Sequence, residues 1–402
     1  MPGEGVLFFM FKNNKNLFVI AVIAIVNALG YGIIIPILYS YSRRFGLSDF
    51  QNGLLFALFS LGQFISTPII GRLSDKYGRK PLLLISIGGT AVSFLIMAFA
   101  PSAIWLFISR ALDGLTAGNI PVASAVISDT TAPQDRAKGF GIIGASFGFG
   151  FIFGPAISAL TLPFGAAVPF LVAAVVAIAA VIMTWVILPE TNQHLGEVKH
   201  GKLFDFRHLA KAVLDPAVGT TLLISLLYSF AFAIFIYGFQ PFAVKILNLS
   251  AQQISIIFTV AGVMGLIAQA GVIPKFTHRF GEKQALVMSF ITMTLTFFCF
   301  YITRSFLLFV TIVVINSLAN AFVMPLVQAL LSKEMDAHSQ GSILGINSSY
   351  MSLGMIVGPV VGGAVATVSV PLPFLVGSVF LFICLFLSWK ILKKPDHLHH
   401  AF

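Results

Sequence analysis

Two opposite charges lie three residues apart in an otherwise apolar stretch: Arg110 and Asp113 of "RALDG", between "SAIWLFIS" and "VASAVIS". An ionised side chain in hydrocarbon costs roughly 2.5 to 3.5 kcal/mol on insertion scales, so such groups face the interior of a helix bundle and find partners. At helical spacing the two sit about 60° apart on one face. Gly114, Ala117, Pro121, Ser124 and Ser128 share that face, and Asn119 points away from it. A carboxylate placed there can bind and release a proton, because desolvation favours its neutral form and an adjacent cation its charged form. Asp113 is the only acid well inside an apolar stretch; the others fall in loops, tails or stretch ends. The competing reading is an ion pair that only fixes helix packing.

A second constellation is "GRLSDKYGRKP", where Gly71 and Gly78 bracket a tight turn and Asp75, Lys76, Arg79 and Lys80 can pair with neighbouring helix ends. Taken alone it could be an ordinary basic loop. A third set is uncharged. Asn27 and Tyr31, Tyr228 with Phe232 and Phe235, and Asn316 with Asn320 each recur at helical spacing, and Gln63, Gln240 and Asn347 add hydrogen-bonding groups. Singly each could be helix glue worth about 1 kcal/mol. Together they suit a flat, amphipathic, partly aromatic compound. The histidines fall in loops, tails or helix ends, so no metal site is expected, and no phosphate loop or nucleophile elbow suggests an enzyme or a cofactor.

The elements that must position these groups are membrane helices. Of 402 residues, 58% are hydrophobic and 9% charged, unlike a soluble chain. Twelve apolar stretches recur, at 17–40, 50–72, 82–100, 103–128, 139–161, 165–188, 217–244, 252–274, 284–302, 305–332, 341–367 and 371–392. Each is near the length of about 20 residues that crosses a bilayer. With the N-terminus in the cytoplasm, only Arg43, Arg44, Lys245 and Arg304 fall on the far side and Arg110 inside; the remaining Lys and Arg are cytoplasmic. That bias places both termini in the cytoplasm and explains the net charge of +10 without a nucleic-acid partner. The first stretch is read as a retained helix rather than a signal peptide. Cys299 and Cys384 lie in apolar stretches and imply no disulfide framework.

The chain also repeats itself. A shift of 204 residues lays "GFGFIFGPAISAL" on "SLGMIVGPVVGGA", with Gly150, Gly154 and Pro155 meeting Gly354, Gly358 and Pro359. These are expected to be close-packing and kink positions that act as hinges. The reading is therefore an all-α membrane protein of two six-helix halves, 1–188 and 217–402, joined by a polar cytoplasmic linker at 189–216. Under the shift Arg110 meets Val314, Asp113 meets Ser317, Asp129 meets Lys333 and Arg136 meets Gln340. The expectation is that only the first half keeps the charged machinery.

"GRLSDKYGRKP" resembles the signature loop of the major facilitator superfamily, with a degenerate copy in "GVIPKFTHRFGEK". "RALDG" is similar to the fourth-helix arginine motif of proton-coupled members, and "GFIFGP" to the fifth-helix motif of the antiporter branch, with Ser158 and Ala159 where two glycines are common. The overall likeness is to tetracycline-efflux and related multidrug proton antiporters, seen also in "NALGYGIIIPIL" and "ISDTTAPQDRAKGFG". Asn27 stands where those proteins usually carry an aspartate. The resemblance implies the major facilitator fold and proton-coupled export of amphipathic drugs by a monomer in the cell inner membrane. Its partners would be a small-molecule substrate, protons and the lipid bilayer, and it would need no cofactor. It further implies proton coupling at Asp113 and Arg110, and a cytoplasmic gate in which Arg79 pairs with Asp129, with Arg136 close by. The alternatives are a transporter of one metabolite, such as a siderophore, sugar or peptide, and a non-transporting membrane sensor.

Overall fold

A computed structural model describes residues 15–132, 135–193, 206–216, 218–334 and 340–393, and its regular elements are all helices. Both termini and residues 194–205 of the expected linker lie outside the described residues. The helices are α1 (Lys15–Ser42), α2 (Asp49–Tyr77), α3 (Arg79–Ala98), α4 (Ala103–Thr116), α5 (Asn119–Thr130), α6 (Arg136–Thr161) and α7 (Val168–Ile187). A short α8 (Phe206–Ala212) precedes α9 (Gly219–Lys245), α10 (Ala251–Ile267), α11 (Ile273–Phe280), α12 (Glu282–Ile302), α13 (Phe306–Lys333), α14 (Gln340–Val368) and α15 (Leu372–Leu392). Among the described residues, eleven helical spans are long and apolar enough to cross a membrane.

The twelfth expected span is the fourth stretch, and it is broken. α4 stops at Thr116 and α5 starts at Asn119, with Ala117 and Gly118 between them in non-helical conformations. Pro121 supplies a reason, since it has no N–H to donate back to the Ala117 carbonyl. Thr116 adds to it by turning its hydroxyl onto the Leu112 carbonyl at 2.8 Å. The face expected to run unbroken from Arg110 to Ser128 is therefore interrupted, and Asn119 is buried. A related disturbance occurs in the eighth span, where the π-helical turn Ala268–Val272 joins α10 to α11 just before Pro274.

The helices form two units, one of Met1–Phe45 with Leu61–Leu203, the other of Gly46–Ser60 with Phe204–Phe402. α2 is one continuous helix whose residues 49–60 count with the second unit. In the first unit α1 and α6 meet backbone to backbone: a Cβ at Gly154 would lie 2.6 Å from Gly32 Cα, and one at Gly32 would strike the Gly150 carbonyl. Ser158, where a glycine was anticipated, instead donates a hydrogen bond to the Ile33 carbonyl at 3.0 Å. In the second unit Gly354 and Gly358 approach α9 in the same way, opposite Phe230 N and Ala233 Cβ. There Lys245 Nζ pairs with the buried Asp49 carboxylate at 2.6 Å, and Phe242, Phe300, Phe309 and Phe374 form an aromatic core. Outward-facing Trp185, Val186, Phe382 and Phe386 remain exposed, as lipid-facing side chains do.

Candidate functional site

The first unit places Arg110 and Asp113 at its interior. Their side chains are 5% and 8% exposed, and Arg110 Nη1 meets Asp113 Oδ2 at 3.1 Å. The other carboxylate oxygen, Oδ1, accepts from the Thr90 hydroxyl of α3 at 3.1 Å. Ser109 donates to the Ser93 carbonyl at 2.7 Å, tying α4 to α3 beside the pair. On the α2 side, Ser66 donates to the Gly114 carbonyl at 3.0 Å, and Gly62 lets the α2 backbone approach the Gly114 turn. Tyr31 of α1 lies within electrostatic reach of Arg110. Both oxygens of Asp113 are thus engaged by groups of different kinds. Arg110 can only donate, whereas a threonine hydroxyl can donate or accept. Such a site can hold the acid in either protonation state.

The signature turn is tighter than expected. Gly71 lies within α2, and Gly78 alone makes the turn, with φ 105, before α3 begins at Arg79. A single left-handed residue suffices because "RLSDKY" continues the helix up to it. Arg79 is the hub: Nη1 donates to Asp75 at 2.5 Å and to Ser74 Oγ at 2.7 Å, and Nε to Asp129 at 3.2 Å. Arg136 donates to the Ser128 carbonyl at 3.0 Å near the end of α5. Lys76 is exposed, over the Tyr77 ring at 5.0 Å. Lys80 contributes its backbone, donating from N to Glu190 Oε2 at 3.1 Å. The expected gate residues Asp75, Arg79 and Asp129 are brought together. Glu190, Thr191 and Asn192, which also hold this turn, went unrecognised because they belong to a polar segment read only as linker.

The uncharged set is brought together only in part. Tyr228 donates to Asn320 Oδ1 at 2.8 Å and stacks on Phe232 at 6.0 Å between ring centroids. Asn316 Oδ1 accepts from Thr296 at 3.0 Å, an α12–α13 tie. Phe235 packs into the aromatic core against Phe297 and Phe300. Gln240 and Asn347 are buried, the latter with its amide nitrogen 3.7 Å from Met351 Sδ. In the first unit Asn27, Tyr31 and Gln63 are half-buried.

The expectation that only the first half keeps charged machinery is corrected. Lys333, the counterpart of Asp129, pairs with Glu282 at 2.8 Å. Glu282 follows Gly281 as Arg79 follows Gly78, so the second unit repeats the turn's ion pair with both signs reversed. Comparing one position at a time hides this, because attraction survives when both partners change sign.

Known relatives match the chain over nearly its whole length. The chain is 32% identical over 388 residues to the class C tetracycline resistance protein of Escherichia coli, covering 93% of this chain and 96% of that one. It is 31% identical over 394 residues to multidrug resistance protein 1 of Bacillus subtilis (strain 168), covering 97% and 99%. Among solved structures, a bacterial homologue of the human lysosomal transporter Spinster, in an inward-facing and unoccupied conformation, superposes with a TM-score of 0.77 at 17% identity, covering 96% of this chain and 98% of that one. That likeness concerns the fold alone. The Major Facilitator Superfamily profile matches residues 20–303 and 221–402. With the duplicated helices, the signature turn and relatives matched from end to end, the chain belongs to the major facilitator superfamily, on the side of its tetracycline and multidrug resistance proteins.

Proposed function

We propose that the protein is a proton-coupled exporter that exchanges protons for an amphipathic small molecule by alternating access. It would work as a monomer in the cell inner membrane, with both termini in the cytoplasm. The observation that carries this reading is the buried Arg110–Asp113 pair with Thr90 on its second oxygen. When Asp113 is ionised, Arg110 and Thr90 both donate to it. When it takes a proton the attraction to Arg110 falls away and the Thr90 hydroxyl can rotate to accept. Burial and the neighbouring cation pull a carboxylate's proton affinity in opposite directions, so a change of hydration between states is enough to load and unload it. The Arg79 hub serves as the gate, and Tyr228, Phe232 and Asn320 offer the aromatic and amide groups that suit the substrate.

Asp113→Asn tests the reading. The amide keeps the shape and cannot titrate. Proteoliposomes loaded with ethidium or tetracycline should lose transport driven by a pH gradient by at least about 100-fold, while exchange without a gradient persists. Gradient-driven accumulation at the parent rate would move the proton site elsewhere and leave the pair a packing device.

A further inference from the structure

The turn that presents Arg79 is itself held by a segment outside the signature sequence. After α7 the chain runs through "PETN", Pro189 to Asn192. The Glu190 carboxylate accepts from Arg79 N at 2.8 Å and Lys80 N at 3.1 Å, and also from Thr191 N and Asn192 N, both at 2.9 Å. Gly78 leaves room for it, since a Cβ there would strike the Glu190 carboxylate. Asn192 Nδ2 donates to the Asp75 carbonyl at 2.8 Å, at the end of α2, and the Thr191 hydroxyl reaches Asp129 Oδ2 at 3.4 Å. Three consecutive residues therefore touch Arg79 and both of its acidic partners.

A bland account exists. The first N–H groups of a helix lack partners and the helix dipole favours an anion there, so Glu190 could simply cap α3. The neighbouring residues argue that the segment does more than cap: the Thr191 hydroxyl reaches Asp129 and the Asn192 amide the end of α2, so it holds the acidic partners of Arg79 as well as its backbone.

We propose that Glu190 is a positioning residue for the gate, fixing the backbone of Arg79 so that its guanidinium reaches Asp75 and Asp129. The head of the linker is thereby part of the gate. This rests on the reading of Arg79 as the gate hub given above.

The test is a mutant cycle read by accessibility, which needs no knowledge of the substrate. Asn27 of α1 is half-buried and belongs to the set read as lining the substrate path, so Asn27→Cys can carry a reporter. Its rate of reaction with a membrane-impermeant maleimide is measured in inside-out vesicles. Arg79→Ala should raise that rate at least about fivefold, Glu190→Ala should raise it by a similar factor, and the double variant should match Arg79→Ala alone, because residues acting through one contact are not additive. The thermal unfolding midpoint of Glu190→Ala should stay near that of the parent. Glu190→Gln, which keeps one acceptor oxygen, runs the same cycle if Glu190→Ala does not reach the membrane. Rates that multiply in the double variant would make Glu190 an independent cap and overturn the proposal. So would parental labelling in both Glu190 variants beside a response to Arg79→Ala, which leaves the gate standing. Failure of both variants to insert would assign Glu190 to folding and overturn it too. No response to Arg79→Ala removes the gate reading and this inference with it.

Discussion

The chain makes the same glycine turn twice, and the two copies are held differently. After α2, Gly78 delivers Arg79 into a ring of acceptors, Ser74, Asp75 and Asp129, and its side chain is only 11% exposed. After α10 and α11, Gly281 delivers Glu282 to one partner, Lys333, whose side chain is 66% exposed. The interiors differ in the same direction: the first unit buries Arg110 and Asp113 where the repeat has Val314 and Ser317. The two copies share a frame and differ in how far the charges at matching positions are shielded. An ion pair in a shielded site is strong and intolerant of a missing partner, whereas one in water is weak and dispensable. On the proposed function the first unit would do the switching, and the second would offer the uncharged Tyr228–Asn320 pair to the substrate.

The most forceful way to break this contrast is to remove one charge from the buried pair. Arg110→Ala leaves Asp113 with Thr90 but without its cation, and losing one partner of a buried pair costs about 3 to 5 kcal/mol. Ser317→Ala, at the position matching Asp113, should change stability by less than about 1 kcal/mol. Unfolding of the purified variants in one detergent compares them directly. Equal losses would mean that the two interiors do not differ as described.

Much of this was legible in the residues themselves. The apolar stretches, the 204-residue repeat and the isolated Arg110–Asp113 pair are patterns of type and spacing, and the helices follow them. The break at Ala117 and Gly118 was signalled by Pro121, but hydropathy runs straight through it, since a small-residue interruption is as apolar as a helix. The helical end of α2 was mistaken for loop because charge and glycine in "GRLSDKYG" look like a turn; only Gly78 has the backbone of one. Glu190 was invisible for a different reason. The partners that tie it to the turn are backbone N–H groups more than a hundred residues away, which leave no trace in side-chain type.

A middling effect tests what the two units share. Gly154→Ala would put a Cβ 2.6 Å from the Gly32 backbone, and Gly358→Ala one 2.6 Å from Ala233 Cβ. Backbone cannot step aside as a side-chain tip can, so each should cost about 1 to 3 kcal/mol, the typical penalty of overpacking. Gly141→Ala, in open space on the same helix as Gly154, should be neutral or stabilise by up to about 1 kcal/mol, since alanine is the better helix former. Thermal midpoints of the three give the comparison. If Gly154→Ala is tolerated as well as Gly141→Ala, the α1–α6 seam is looser than its geometry implies.

The smallest effect is expected at the exposed corner of the second unit. Lys333→Ala removes the cation paired with Glu282, but both groups have water nearby to replace the bond, and exposed pairs are worth about 0 to 1 kcal/mol. Asp129→Ala, at the matching position, takes an acceptor from a guanidinium that is largely shielded, and a charged donor left short inside a site costs about 1 to 3 kcal/mol. Salt separates the cases further. Raising ionic strength should erase what remains of the Lys333 effect, because ions screen exposed charges within about 10 Å at 0.1 M, and leave most of the Asp129 effect in place. Unfolding of both variants at low and high salt is the measurement. A Lys333→Ala loss as large as that of Asp129→Ala, and as resistant to salt, would show the reversed pair to be a second clasp equal to the first, and the asymmetry between the two turns would then lie in sign alone.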